Sequence, residues 1–176
     1  MVGLPTSDGT AALARQHGIP LTSFAEVARL DLTIDGADQL DGKLRLIKGG
    51  GGALLREKIV ASLSERVVII ADSSKHVESL GAFPLPVEVV PFVAPALQPK
   101  LAALGCQAEL RKGADGTPYR TDENNVIIDC AFGRIADPEA LARRLDAMPG
   151  VVEHGLFIGL AERAIVGIED GVTEVP

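Results

Sequence analysis

Residues 48–72, KGGGGALLREKIVASLSERVVIIAD, decide the fold because they place a glycine run, a helix and an apolar strand in immediate succession. The stretch ALLREKIVASLSE has the length and spacing of a helix, and RVVIIAD is typical of a strand buried on both faces. Upstream, DLTID at 31–35 is partly β-branched and ends at an Asp-Gly turn, which indicates another strand. This order predicts a βαβ unit and an α/β fold with a mostly parallel sheet.

From Gly81 the sequence changes character, because the next stretch is too rich in proline for a helix interior or a central strand. We predict an edge strand in PVEVVPF, and then helices alternating with pairs of strands. One of these helices begins at Asp137, a predicted N-cap like Ser7 near the start of the chain. The predicted domains are a mostly parallel one formed by residues 1–80 and 155–176, and a smaller α+β one formed by residues 81–154.

The amino-acid composition indicates which classes of binding partner are unfavourable for this chain. The 176 residues are 47% hydrophobic and 23% charged, as in a globular domain, while aromatic residues are only 3% and the net charge is −7. A scarcity of aromatics and an acidic balance disfavour nucleic acid and anionic membranes as partners. Cys106 and Cys130 form no CxxC pair and the N-terminus does not resemble a secretory signal, so we expect a cytoplasmic protein. The scattered histidines give no local argument for a metal site.

Asp35-Gly36-Ala37-Asp38 is the first candidate site segment, since ligands of open parallel sheets bind beyond the carboxyl ends of the strands. Two carboxylates three residues apart on a tight turn can bind sugar hydroxyls or share a proton. The alternative is structural: Asp is common in turns, where it ends strands and caps whatever follows.

Lys48 followed by Gly49, Gly50, Gly51 and Gly52 forms the second segment, and it leads directly into the predicted helix. Glycines leave the backbone N–H groups open to a ligand, and a helix N-terminus adds positive potential, so an anion or oxyanion can bind here. The run is neither a Walker loop nor a dinucleotide fingerprint in its usual context. The alternative is a flexible linker.

Glu57 is the third candidate because it lies on the predicted helix with apolar residues one turn away. Partly apolar surroundings raise the pKa of a carboxyl group, which suits a general base working near neutral pH. The alternative is a glutamate that pairs with an arginine or stabilises the first turn of the helix. The stripe of Lys58, Ser62 and Glu65 predicts the solvent face of this helix.

Lys75 follows the apolar strand in the segment ADSSK at 71–75 and is therefore expected at the same edge of the sheet. It can bind a phosphate or be an ordinary surface lysine.

Together these segments resemble the type A ribose-5-phosphate isomerase family, and the resemblance covers essentially the whole chain. The segments that carry it are DGAD at 35–38, KGGGGALLREK at 48–58, ADSSK at 71–75, FPLPVEV at 83–89, TDENNVIID at 121–129 and PGVVEHGLF at 149–157. The resemblance implies a Rossmann-like domain carrying a smaller ferredoxin-like one, and assembly as a homodimer or homotetramer.

The same resemblance implies interconversion of ribose 5-phosphate and ribulose 5-phosphate through a cis-enediolate, with no metal and no organic cofactor. Glu57 would then move the proton between C1 and C2, while Asp35 and Asp38 hold the sugar hydroxyls and assist ring opening. Lys48 with Gly49, Gly50 and Gly51 would stabilise the oxyanion and bind substrate. Gly36 and Ala37 would also line the substrate site, and Lys75 would bind the ligand.

Two departures from the family pattern bear on these expectations. Gln39 stands where the family usually has Glu, which should change the potential of the site. No Gly-Thr-Gly-Ser-Thr phosphate loop occurs in the chain, which opens at a segment resembling the family's next βα unit. Alternatives to an active isomerase are therefore a non-catalytic sugar-phosphate-binding module and an inactive, N-terminally truncated isomerase.

Overall fold

The computed structural model describes residues 2–176. Within that range the helices are α1 (Asp8–Gln16), α2 (Leu54–Ser62), α3 (Ala94–Ala102) and α4 (Pro138–Asp146). The strands are β1 (Thr33–Asp35), β2 (Gln39–Leu40), β3 (Leu46–Ile47), β4 (Val67–Asp72), β5 (Leu85–Val89), β6 (Gln107–Leu110), β7 (Val126–Ala131), β8 (Val151–His154), β9 (Leu156–Phe157), β10 (Arg163–Ile168) and β11 (Gly171–Val175). No helix in this range is long and apolar enough to cross a membrane.

The parallel strands belong to a four-stranded sheet with the order β1-β4-β10-β11. The first three strands run parallel and β11 pairs antiparallel with β10, so the predicted mostly parallel sheet is confirmed. The C-terminal stretch returns to the first sheet through β10. Asp35 lies in register with Ile69, which places the carboxyl ends of β1 and β4 at one edge.

One face of this sheet is more open than the apolar run of β4 predicts. Val67 and Ile69 are buried, but Ile70, on the other face, is 52% exposed. The neighbouring strands repeat the pattern with Ile34 and Ile165, which are 61% and 38% exposed. The prediction that β4 is buried on both faces is therefore wrong for the described residues, because an apolar run does not specify how many layers cover a sheet.

The smaller unit follows the order β5-α3-β6-β7-α4-β8 along the chain. Its strands form an antiparallel sheet in the spatial order β6-β7-β5-β8, with α3 and α4 packed against it. This is the ferredoxin-like arrangement. Asp137 caps α4 by accepting a hydrogen bond from the Ala140 N–H, and Ser7 caps α1 in the same way through Thr10.

The proline-rich strand β5 is not at the edge of its sheet, so that prediction is wrong. It pairs with β7 on one side and β8 on the other, and all five of its residues are buried. The Pro86 carbonyl accepts a hydrogen bond from the Gly155 N–H, so Pro86 turns its backbone polar groups toward the β8 side of the strand. There its nitrogen lies beyond Val87–Val89, the residues of β5 that pair with β8. The missing N–H therefore removes no bond to β7.

A three-stranded sheet, β2-β3-β9, separates the two hydrophobic cores. Leu46 and Phe157 point into the core beside the parallel sheet, whereas Ile47 and Leu156 belong to the core of the ferredoxin-like unit. Successive side chains of these strands point to opposite faces, so each face of this sheet packs into the core of a different unit. Division of the chain at residues 81 and 154 stays a prediction.

Candidate active site

Nine of the ten predicted site residues line one cavity of about 220 Å³. It lies at the carboxyl end of β1 and the N-terminal end of α2. The lining residues are Asp35, Gly36, Ala37, Asp38, Lys48, Gly49, Gly50, Gly51 and Glu57. The structure therefore brings three separate sequence segments to a single place.

Lys48 reaches this cavity because β3 ends at the residue before it. Its backbone N–H donates to the Gly155 carbonyl at 2.9 Å, so the chain beside β9 holds the Lys48 backbone in place. A Cβ atom at position 155 would come within 2.2 Å of the Lys48 carbonyl oxygen. Only glycine permits this close approach.

The Lys48 ammonium is the central charge of the site and is 4% exposed. Its Nζ donates to the Gly36 carbonyl at 2.6 Å, and lies 3.0 Å from Asp35 Oδ2 and 3.3 Å from Glu57 Oε2. One cation is thus shared by two carboxylates from different segments. A cation fixed in this way can stabilise negative charge that develops on a ligand in the cavity.

Glu57 lies in the first turn of α2 with 18% of its side chain exposed. Burial raises the pKa of the Glu57 carboxyl group above its ordinary value, and the positive charge of Lys48 opposes this rise. Oε2 is buried and lies within ion-pair distance of Lys48, but outside the geometry of a directed hydrogen bond. A carboxylate held in this way can accept a proton from a bound molecule.

The glycine run is closely packed on two sides. Gly49 has a φ of +105°, and a Cβ there would lie 2.8 Å from the Leu54 side chain. The Gly50 N–H donates to Asp38 Oδ2 at 2.7 Å, so this carboxylate holds the run from the cavity side. No atom lies within 4 Å of a Cβ built at Gly51, which leaves that residue open to a ligand.

Lys75 and Gln39 lie outside the cavity lining. Lys75 belongs to a short 3₁₀ helix, Ser73–Lys75, directly after β4, and is therefore near the carboxyl edge of the parallel sheet as expected. Gln39 is buried, and its Oε1 accepts from the Gly81 N–H at 2.9 Å. Its amide therefore points toward the start of the ferredoxin-like unit.

Lys58 was predicted on the solvent face of α2, and the structure contradicts this. Its side chain is 15% exposed, and its Nζ lies 2.5 Å from Glu153 Oε1 and 2.6 Å from the His154 carbonyl oxygen. Burial lowers the pKa of Lys58. The helix lies against β8, so a lysine that the helical spacing of polar residues assigns to the solvent face is instead covered by the ferredoxin-like unit.

Phe157 connects the site to this second lysine. The ammonium groups of Lys48 and Lys58 both lie over its ring, 5.5 Å and 5.0 Å from the centroid. No local sequence pattern indicates a role for this phenylalanine. A cation over an aromatic face is attracted to it, so the ring helps to fix the position of Lys48.

Arg111 and Tyr119 also contact the site, although the sequence does not predict it. Both come from the ferredoxin-like unit and donate to carbonyl oxygens of the glycine run. They are separated from it by about sixty residues of sequence, and no local motif marks them.

Among residues 2–176, Asp146, Glu153 and His154 form a group whose side chains could together hold a metal ion, with potential ligand atoms within 4.8 Å of one another. His154 Nε2 lies 3.1 Å from Asp146 Oδ1, a pairing that the sequence spacing does not suggest. The Lys58 ammonium already supplies a positive charge to this group. The cluster therefore fits a structural ion-pair network, separate from the cavity.

Comparison with known proteins agrees with the geometry. The model of the family Ribose 5-phosphate isomerase A (phosphoriboisomerase A) matches residues 2–171. A ribose-5-phosphate isomerase A from Parvibaculum lavamentivorans is 56% identical over 177 aligned positions, which cover 97% of this chain and 77% of that protein.

Solved structures give the same result. A D-ribose-5-phosphate isomerase in complex with phospho-erythronic acid superposes with a TM-score of 0.95 at 40% identity, covering 98% of this chain and 76% of the other. Ribose 5 phosphate isomerase A from Neisseria gonorrhoeae gives a TM-score of 0.92 at 42% identity, covering 99% and 76%. The fold is thus that of a known group of proteins, and the chain belongs to the ribose 5-phosphate isomerase A family.

Proposed function

We propose that this chain interconverts ribose 5-phosphate and ribulose 5-phosphate through a cis-enediolate. The observation that carries the proposal is the pair formed by Glu57 and Lys48: a buried carboxylate oxygen that lies 3.3 Å from a buried ammonium. A base beside a fixed positive charge is what proton abstraction next to a carbonyl requires.

In the proposed reaction, Glu57 accepts the proton from C2 of the open-chain aldose. The electron pair of that C–H bond forms the C1–C2 double bond, and negative charge develops on O1. Glu57 then returns the proton to C1 while the O2 hydroxyl proton moves to O1, which leaves the carbonyl at C2. The raised pKa of Glu57 favours this role because the protonated intermediate forms more readily near neutral pH.

Lys48 and the glycine run are proposed to stabilise the charge on the enediolate. Lys48 Nζ is already held at the cavity by the Gly36 carbonyl, so it needs little reorganisation when the charge develops. Asp35 and Asp38 are proposed to accept hydrogen bonds from the sugar hydroxyls and to assist ring opening. Gly36 and Ala37 line the substrate, and Lys75 is proposed to contact the ligand from the end of β4.

The proposal extends to the cellular setting. We place the activity in the non-oxidative pentose phosphate pathway, in accordance with the family. The cytoplasm is the proposed compartment, where thiols such as the free Cys106 and Cys130 stay reduced. A homodimer or homotetramer is the proposed assembly, and light scattering of the purified chain tests it. Phe92, which is 94% exposed, is an apolar residue that a second copy would cover.

Proton magnetic resonance of ribose 5-phosphate incubated with the chain in D₂O tests the reaction type. An enediolate exchanges its proton with solvent, so repeated equilibration should introduce deuterium at C1 of ribulose 5-phosphate and C2 of ribose 5-phosphate. Turnover with complete retention of hydrogen would indicate a hydride shift instead. Binding of the sugar phosphate without turnover would favour the non-catalytic binding module.

A further inference from the structure

Arg111 holds the back of the glycine run. Its Nη1 donates to the carbonyl oxygens of Gly49 at 2.9 Å and Gly50 at 3.1 Å. Tyr119 adds a third contact of this kind by donating from its hydroxyl to the Gly51 carbonyl at 3.2 Å. Three consecutive carbonyl groups are therefore bound by side chains of the ferredoxin-like unit.

Asp129 fixes the guanidinium group in this position. Arg111 Nε donates to Asp129 Oδ2 at 2.9 Å, and Nη2 donates to Oδ1 at 2.5 Å. The pair is bidentate, and the arginine side chain is 14% exposed. Arg111 directly follows β6, and Asp129 lies in the neighbouring strand β7. The pairing of these two strands therefore sets the distance between Arg111 and Asp129.

The direction of the carbonyl groups determines the direction of the N–H groups. In a trans peptide the C=O and the N–H of one plane point in opposite directions, and the described chain contains no cis peptide bond. With the oxygens of Gly49 and Gly50 directed at Arg111, the N–H groups of Gly50 and Gly51 point away from it. The Gly50 N–H meets Asp38 on the cavity side, and Gly51 lines the cavity.

We propose that Arg111 is a positioning residue, which acts through the glycine run: it holds the Gly50 N–H on Asp38 and orients the Gly51 N–H toward the developing oxyanion. The proposal rests on the isomerase function stated above. Glycine has more backbone freedom than any other residue, so the run needs an external contact to keep one conformation. The guanidinium charge also polarises the two peptide groups, which makes their N–H groups stronger donors.

Four variants test this role: Arg111→Met, Arg111→Lys, Asp129→Asn and the control Arg120→Met. Arg120 is an exposed arginine of the same unit whose Nη1 binds only the nearby Asn124 carbonyl. Each variant is first checked for folding by circular dichroism and thermal unfolding. The measured quantities are kcat and KM for ribose 5-phosphate, the dissociation constant of phospho-erythronic acid, and amide hydrogen exchange of the peptide covering residues 46–55.

In Arg111→Met we expect kcat to fall about tenfold or more, while KM changes less than about threefold, because the oriented Gly51 N–H acts mainly on the charge of the transition state. Arg111→Lys should recover part of kcat, and Asp129→Asn should show a smaller loss of the same type. The acid, whose carboxylate carries the charge that the enediolate develops, should bind more weakly to Arg111→Met. Amide exchange of the glycine run should be faster in this variant and unchanged in Arg120→Met.

Unchanged exchange and unchanged kcat in a folded Arg111→Met protein would overturn the proposal. So would equal losses in Arg120→Met, which would indicate a general effect of removing charge from this unit. The exchange measurement keeps the inference separate from the isomerase function. If the wild-type chain shows no turnover, faster exchange in Arg111→Met still supports the positioning role, and unchanged exchange contradicts it.

Discussion

The ammonium group of Lys48 lies 3.3 Å from the carboxylate of Glu57, and both side chains are largely buried. The two residues come from opposite ends of the glycine run, so its conformation sets their separation. Burial favours the protonated form of Glu57, while the lysine charge favours the ionised form. The net effect is a pKa of Glu57 above its ordinary value, with a positive charge held beside the carboxylate.

Replacing Lys48 by Ala should lower kcat by about 100-fold or more with a smaller change in KM, because the enediolate carries more negative charge than the bound sugar. Steady-state kinetics with ribose 5-phosphate measures both constants. Lys43→Ala, at an exposed lysine in the turn before β3, is the matched control. An effect confined to KM would make Lys48 a simple substrate anchor.

The acid limb of the pH profile should move when the lysine charge is removed. Lys48 lowers the pKa of Glu57, so in Lys48→Met that pKa should rise further above its ordinary value. The base must be ionised to act, so the acid limb of the pH profile of kcat/KM should lie at higher pH in Lys48→Met than in the wild type. A limb that stays in place, or moves to lower pH, would argue against electrostatic coupling between the two groups.

Glu57→Gln should raise thermal stability at neutral pH. A carboxyl group with a raised pKa in the folded state stabilises the fold at low pH, and this contribution is lost as the pH rises through the folded-state pKa. The amide resembles the protonated form, so the variant should unfold at a higher temperature than the wild type at pH 7.5.

The difference in unfolding temperature should disappear below the ordinary pKa of Glu, about 4.3. Glu65→Gln is the control, since Glu65 is exposed and pairs only with Arg29 at the surface. A Glu57→Gln protein less stable than the wild type at pH 7.5 would mean that the fold favours the ionised carboxylate.

Chelators should leave turnover unchanged, because Lys48 and the glycine run supply the positive potential that a metal ion would otherwise provide. Activity after dialysis against EDTA, compared with a sample to which Mg²⁺ or Mn²⁺ is returned, measures this. Inhibition that either ion reverses would contradict the enediolate mechanism as proposed.

Local sequence predicted those features that depend on local chemistry. The Asp137 cap, the helix at residues 54–62 and the parallel strands all follow from short patterns. Nine of the ten predicted site residues line one cavity, because their segments directly follow β1 or β3 or lie in the first turn of α2, and these ends meet there.

Features that depend on long-range packing could not be predicted in this way. The central strand β5 tolerates Pro86 because the proline nitrogen faces the end of β8 and not β7. Lys58 is covered by residues nearly a hundred positions away, and Arg111 reaches the glycine run from a different unit. Strands as short as β2, β3 and β9, with two residues each, show no periodicity at all.

Turnover of ribose 5-phosphate by Glu57→Gln tests the central claim most directly. Gln is nearly isosteric with Glu but cannot accept the C2 proton, and loss of a general base typically lowers the rate by about 10²–10⁴-fold. With the wild type active and the variant folded, we predict a loss of at least 100-fold, and full activity in Glu65→Gln. Retention of more than about a tenth of the wild-type rate would contradict the assignment of Glu57 as the base.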